Sequence, residues 1–391
     1  MLKKYFFLLL LVSQFSFSQN VQLSIYSEIS IITSGPGDDL HEKFGHTAIR
    51  VKDPVLNFDL IYNYGIFDFN DPKFYTNFVR GYMKYKLARY DFYYALKSAK
   101  EDKRWVKQQV LNLTQQERTE FFHFLQKNAL PENASYFYDP FFDNCATRPR
   151  DIVKNILKEK LIINEEFVTA PKSLRTLMNE KIHQNSWGSF GINLALGSKL
   201  DKIATPEEYM YLPEFLMESY AKSIIRSSKG NEKLIKKTNI LLDFEPKEAN
   251  ADFPSPLLVF SIFSLVILLI TYFDFKQKRR TKILDFLLFF TTGIIGVLIV
   301  FLWFFTNHST APNNFNILWS FTPNIVVAFY VIKGKLPNWF SKYILMVLLL
   351  LTVIPIIHIT GIQKFTYPVI PILILLFGRY LFLYKITSIK K

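Results

Sequence analysis

Roughly the last third of the chain is dominated by five apolar stretches. Each is close to the ~20 residues an α-helix needs to cross a bilayer, so a membrane-spanning helical region is dictated first. They run from Phe253 to Phe273, Phe286 to Phe305, Phe315 to Ile332, Tyr343 to Ile362 and Phe365 to Tyr384. The first four hold no Asp, Glu, Lys or Arg, and the third is interrupted by Pro323. Arg379 stands near the end of the fifth, where a long side chain is expected to snorkel toward the headgroups. His358, inside the fourth, is read as lining the bundle interior.

Charge in the connections sets the orientation. Lys276, Lys278, Arg279, Arg280 and Lys282 follow the first stretch, Lys333, Lys335 and Lys342 the third, and Lys385, Lys390 and Lys391 the fifth. The excess of cations on the cytoplasmic side assigns these connections, and the C-terminus, to the cytoplasm. The alternate connections, Thr306 to Asn314 and Gln363-Lys364, carry little charge and are placed outside. The start of the chain agrees: Lys3 and Lys4, the apolar run Tyr5 to Val12 and the small-x-small site Ser16-Phe17-Ser18 read as a signal peptide over residues 1–18. The expectation is a multi-pass protein of a bacterial cytoplasmic (inner) membrane, with residues 19–252 on the periplasmic side and a transmembrane domain over 253–391.

The eleven cations of those connections and the two of the leader account for most of the formal net charge of +14, so a nucleic-acid partner is not indicated. No GxGxxG or Walker loop occurs, which argues against nucleotides, and six scattered histidines without HExxH or CxxC give no expectation of a metal or other cofactor. The single cysteine, Cys145, cannot form an internal disulfide in an exported chain; it is a core residue or a thiol kept for chemistry.

The exported part mixes strand and helix patterns. Val21 to Ile32, His46 to Val51 and Leu56 to Phe69 read as strands, and Asp71 to Arg80 as a helix. A second helix, Thr114 to Asn128, opens on the capping box Thr114-x-x-Glu117. A third continues past Cys145 to about Lys158. The less periodic region from about 164 to 252 is expected to pack as an accessory segment, ending in the charged juxtamembrane stretch Lys229 to Lys247.

Two motifs carry chemistry. In Phe142-Asp143-Asn144-Cys145-Ala146-Thr147-Arg148-Pro149-Arg150-Asp151, Asp143 or Asn144 can cap a helix with Cys145 in its first turn. The free N–H groups there favour a thiolate and can later hold an oxyanion. In Phe44-Gly45-His46-Thr47, a histidine follows a glycine at the start of a strand, a rigid seat for a general base. Arg148 and Arg150 are placed to hold a phosphate or support the thiolate, or else to form surface ion pairs. His308, in the outer loop, is read as an interfacial polar residue, with a position near the thiol as the alternative.

A histidine strand followed much later by Asn-Cys at a helix start is similar to the circularly permuted NlpC/P60 and lecithin-retinol-acyltransferase-like superfamily of papain-like thiol enzymes. With Tyr62-Asn63-Tyr64-Gly65-Ile66-Phe67-Asp68-Phe69 and Phe78-Val79-Arg80-Gly81, the motifs resemble the DUF4105 family, the periplasmic domain of Lnb-type lipoprotein N-acyltransferases of Bacteroidota. The resemblance implies an α+β papain-like domain followed by an all-α bundle of about five transmembrane helices. It implies ping-pong acyl transfer without a cofactor: Cys145 takes an acyl chain from a membrane phospholipid and passes it to the α-amino group of diacylglyceryl-cysteine on bacterial lipoproteins. His46 is then the base, Asn63 on the following strand the third catalytic residue, with Asp59 next and Glu42 and His41 further off. Asn144 and Arg148 are assigned to substrate binding. Two rival readings are a membrane-anchored cell-wall peptidase or amidase and a non-enzymatic membrane scaffold, the latter expected if His46 and Cys145 lie apart.

Overall fold

A computed structural model describes residues 21–227 and 230–388; the expected leader lies outside the described residues. Alternating β-branched and aromatic residues build the first half into strands whose two faces both find cover. In chain order these are β1 (Glu28–Ser34), β2 (His46–Asp53), β3 (Phe58–Ile66), β4 (Lys84–Asp91), β5 (Val106–Leu111) and β6 (Ser135–Phe137), followed by β7 (Leu161–Ile162), β8 (Ile224–Ser227), β9 (Gly230–Lys233) and β10 (Ile235–Leu242). Seven form one antiparallel sheet in the order β10-β5-β1-β2-β3-β4-β6; β7, β8 and β9 form a small second one. Register places Ser34 opposite His46 and Ile49 opposite Tyr62.

The helices of this domain are α1 (Phe74–Arg80), α2 (Phe92–Glu101), α3 (Gln115–Asn128) and α4 (Thr147–Leu157), then α5 (Leu174–Lys181), α6 (Trp187–Ala195), α7 (Pro206–Tyr209) and α8 (Pro213–Lys222). One sheet face buries Ile31, Ile49, Val51 and Tyr62 against Phe121, Phe122 and Leu125 of α3 and Ile152 and Val153 of α4. The other buries Ile32, Ala48 and Ile61 with Phe92 of α2. The capping box is present: the Thr114 hydroxyl accepts from the Glu117 N–H, and the Glu117 carboxylate accepts from the Thr114 N–H.

Three features differ from the sequence reading. The first strand begins at Glu28, because Asp53 gathers the Ser24 N–H (2.7 Å) and hydroxyl (2.8 Å) and holds the preceding residues in a turn. The region after 164 is not merely packed on the domain: its stretch Lys229 to Lys247 contributes β10, which closes the main sheet by pairing with β5. β10 carries an exposed Lys236-Lys237-Thr238 stretch, as suits an edge strand.

The third difference is in the C-terminal region, made of α9 (Pro256–Lys276), α10 (Lys282–Phe304), α11 (Asn324–Val331), α12 (Phe340–Thr360) and α13 (Ile370–Ser388). Among the described residues, four helices are long and apolar enough to cross a membrane: α9, α10, α12 and the continuous turn-plus-α13 from Tyr367 to Ser388. The expected third span is broken into a short 3-10 turn, Phe315–Leu318, and the eight-residue α11, because Pro323 interrupts the ladder. The buried side chain beside the break is satisfied inside the bundle: Asn324 Nδ2 donates to the Thr292 hydroxyl at 2.9 Å and its Oδ1 accepts from the Tyr343 hydroxyl at 2.5 Å.

Arg379 does not snorkel. It is fully buried, with Nε 2.8 Å from Asp285 and Nη1 2.9 Å from Asp274, because α9 and α10 each turn a carboxylate inward there. His358 is half-buried in the last turn of α12 and does not line the bundle interior; its Nδ1 accepts from the Phe365 N–H at 3.0 Å and ties the α12–α13 turn.

The two regions are fastened together. The Gly197 N–H donates to the Thr310 carbonyl at 2.8 Å, Ser198 N–H to Asn313 at 3.0 Å, and Asn314 Nδ2 to Leu194 at 2.8 Å. Asp201, buried and paired with Arg175 at 2.9 Å, also accepts from the Lys364 N–H at 3.0 Å.

Candidate active site

The site forms where β2, β3 and the start of α4 meet. Gly45 adopts φ +75°, and a Cβ there would stand 2.9 Å from the Ser34 carbonyl, so the glycine lets the chain turn tightly into β2 and present His46. On β3, Asn63 Oδ1 lies 2.6 Å from His46 Nε2. Since Oδ1 only accepts, Nε2 carries the proton, and Nδ1 is left for the thiol. Asn63 is fixed in turn by its Nδ2–H bond to the Tyr90 hydroxyl, 2.9 Å. The thiol lies against the His46 ring and the backbone N–H groups of Thr47 and of Cys145 itself.

Cys145 lies in the capped turn that opens α4: the Asn144 carbonyl already accepts from the Arg148 N–H at 3.1 Å, ahead of the regular helix from Thr147. Asn144 supplies that cap: its Oδ1 accepts from Ala146 N–H (2.8 Å) and Thr147 N–H (3.0 Å). Its Nδ2 donates to the Pro140 and Tyr211 carbonyls at 2.8 and 2.9 Å. The sequence reading of Asn144 as a substrate contact meets a buried amide whose hydrogen bonds are all made within the chain. It holds the turn that aims the thiol.

Burial opposes charge on both partners, but each overcomes it. The His46 cation beside it, with the two N–H groups, holds the Cys145 thiol below its ordinary value. Burial lowers His46, and the thiolate and the Asn63 carbonyl more than restore it, so its pKa is raised. Both shifts favour a thiolate–imidazolium pair.

Aromatic residues that sequence reasoning missed surround the pair. Gly65, at φ +95°, sits in the bulge where β3 and β4 slip register; a Cβ on it would lie 3.4 Å from the Tyr138 ring, 3.8 Å from Cys145 Cβ and 3.9 Å from the Tyr136 hydroxyl. That hydroxyl is buried and finds no hydrogen-bond partner among the described residues. Burial, reinforced by the Cys145 thiolate, keeps Tyr136 and Tyr138 protonated by raising both. Their spacing from Cys145 gives a weak signal in hindsight, since Tyr136 and Tyr138 alternate on the segment leading to the thiol.

The other expected residues fall elsewhere. Asp59 is spent on Arg50, with contacts of 2.7 and 2.5 Å, four residues down β3 from Asn63. Glu42 pairs with Arg104 at 3.1 Å, and His41 lies edge-on to Phe67. Arg148 is clamped by both oxygens of Asp143 and covers the Tyr136 ring at 4.0 Å, while Arg150 pairs with Asp151 and the Glu207 carbonyl. His308 bonds to the Thr306 hydroxyl at 2.9 Å and meets the Phe78 ring, not the thiol.

The architecture is that of a multi-pass membrane protein whose α/β domain brings one cysteine, one histidine and one asparagine into contact. A family model described as the Lnb N-terminal periplasmic domain matches residues 17–180, and one described as the Lnb transmembrane domain matches residues 248–391. The chain belongs to the Lnb family, with a periplasmic N-terminal domain and a C-terminal transmembrane region. No curated protein and no solved structure matches it.

Proposed function

We propose that this protein is a lipoprotein N-acyltransferase that works through an acyl-Cys145 intermediate on a permuted papain-like fold, at the periplasmic face of the inner membrane. The observation that carries the reading is the His46–Cys145 contact backed by Asn63 at 2.6 Å, in a domain fastened to a membrane bundle. Nucleophile, base and orienting amide are the parts that thiol acyl transfer requires.

The Cys145 thiolate attacks an ester carbonyl of a membrane phospholipid. The oxyanion is met by the Thr47 and Cys145 N–H groups and by the Tyr136 hydroxyl, a buried donor without an acceptor at rest. As the carbon–oxygen bond breaks, His46 gives its proton to the departing lysophospholipid alkoxide, leaving a thioester and a neutral imidazole. The α-amino group of a diacylglyceryl-cysteine lipoprotein then attacks the thioester; His46 takes the amine proton, and the thiolate leaves. Asn63 keeps the Nε2–H tautomer throughout. Arg148, though paired with Asp143, has 29 % of its side chain exposed and is placed to meet a lipid phosphate.

The test is mass spectrometry of one lipoprotein's N-terminal peptide, from cells lacking their own N-acyltransferase and carrying this protein or its Cys145→Ala variant. A third acyl chain only with the parental protein is expected. Unchanged lipoprotein despite good expression refutes the reading, and Cys145-dependent peptide release from sacculi would replace it with cell-wall hydrolysis.

A further inference from the structure

Helix α1 has the composition of a core element and the exposure of a surface one. Tyr75 is 67 % exposed, Phe78 and Val79 48 % each, and Phe69 just before the helix 54 %. An open apolar face of this kind marks an interaction site. The chain fixes where that face lies: the Asn307 N–H donates to the Arg80 carbonyl at 2.9 Å, and His308 meets Phe78 at a ring separation of 6.5 Å. Asn307 is three residues past the end of the membrane helix α10, whose last rings, Phe304 and Phe305, are 65 % and 70 % exposed. Helix α1 is thereby held at the level where α10 leaves the bilayer. Aromatic side chains are at home at that depth.

From α1 a line of rings leads to the thiol. Phe78 to Phe74 is 6.2 Å, Phe74 to Phe67 5.7 Å, Phe67 to Tyr85 5.0 Å and Tyr85 to Tyr138 4.6 Å. Tyr138 closes on the same point as Cys145, beside Gly65. We propose that α1 seats in the periplasmic leaflet, and that the rings from Phe74 to Tyr138 form the bed along which a phospholipid acyl chain brings its ester to Cys145. The bed rests on the acyl-transfer reading; the seating of α1 does not. An acyl chain lying on these rings keeps its methylenes out of water on the way from the bilayer, which a polar route would not allow.

Two measurements on the full chain in phospholipid nanodiscs test this. With p-benzoylphenylalanine in place of Phe78, irradiation is expected to give a phospholipid adduct detectable by mass. With the same group at Tyr93, exposed at the opposite end of β4, it is expected to give none. Formation of acyl-Cys145 from vesicles of phosphatidylethanolamine is expected to slow by about tenfold or more in Phe67→Ser/Phe78→Ser, while acylation by p-nitrophenyl butyrate, which needs no membrane, stays within about twofold. Absence of a lipid adduct at position 78 overturns the seating, and an unchanged vesicle rate in the variant overturns the bed. If the parental chain makes no acyl-Cys145 from lipid yet position 78 is crosslinked to it, the acyl-transfer reading and the bed fall together while the seating stands.

Discussion

Replacing Asn63 by Ala removes the acceptor of the His46 Nε2–H bond and leaves the rest of the site in place. At 2.6 Å, with the ring held as a cation by the Cys145 thiolate, this bond is charge-assisted. Such bonds contribute ~1.5–3 kcal/mol, which corresponds to about ten- to a hundredfold in rate. The loss divides between two effects. The imidazolium becomes less stable, so the Cys145 thiol climbs back toward its ordinary value, and the ring is free to turn or change tautomer. Because Cys145 is the chain's single cysteine, alkylation by iodoacetamide reads its thiolate directly as pH is varied. The parental protein is expected to alkylate well below the pH at which an ordinary thiol falls silent. In Asn63→Ala that limb moves to higher pH, and lipoprotein acylation falls by the same ten- to hundredfold. Asn63→Asp, which keeps an acceptor and adds charge, retains the low-pH limb. An Asn63→Ala protein with the parental alkylation profile and acylation rate would refute the role given to Asn63.

Acylation should follow a bell-shaped pH profile. It rises as Cys145 deprotonates, below the usual thiol range, and falls as His46 loses its proton, above the usual imidazole range; inverted limbs in single-turnover thioester formation would contradict the ion pair. Tyr136→Phe should lower the acylation rate by about a hundredfold while leaving iodoacetamide alkylation unchanged, and an equal rate would remove the hydroxyl from the oxyanion site. Arg379→Leu removes the cation that Asp274 and Asp285 share, leaving them Thr281 and Arg280, and should cost about 3 kcal/mol, the low end for a broken buried pair, read as a fall in the thermal unfolding temperature in detergent. Gly197→Ala places a Cβ 1.9 Å from the Pro312 carbonyl; hydrogen exchange in residues 306–314 should rise, and no change would show that this loop is not gripped there.

Local rules made several elements legible in the sequence. The Thr114–Glu117 box needs only four adjacent residues, and the long apolar helices need only composition. His46 and Cys145 were legible because each sits at the start of a strand or helix with a recognisable neighbour, whereas Asn63, inside β3, was reached only through the family resemblance. What stayed hidden depends on distant partners. Arg379 finds Asp285 and Asp274, 94 and 105 positions away, and nothing near it in the chain distinguishes a buried arginine from a snorkelling one. β10 was hidden inside a charged stretch because Lys236, Lys237, Thr238 and Asn239 separate its apolar residues and break the strand alternation; only its pairing with β5 reveals it. The choice between Asn63 and Asp59 turned on Arg50, which takes Asp59 out of contention.

The periplasmic domain is held to the membrane region by the chain running from β10 into α9 and also by two outer connections, one bonded to Gly197, Ser198 and Arg80 and one to Asp201. Separated attachments remove the swivel that a single tether would leave, so the thiol keeps one height and one bearing above the bilayer. A domain on a leash searches a volume; this one waits at a fixed altitude, and under the acyl-transfer proposal its reactants would drift past beneath it in the lipid. Encounter would then depend on how many such molecules occupy each patch of membrane and how fast they move sideways, not on their concentration in the surrounding water.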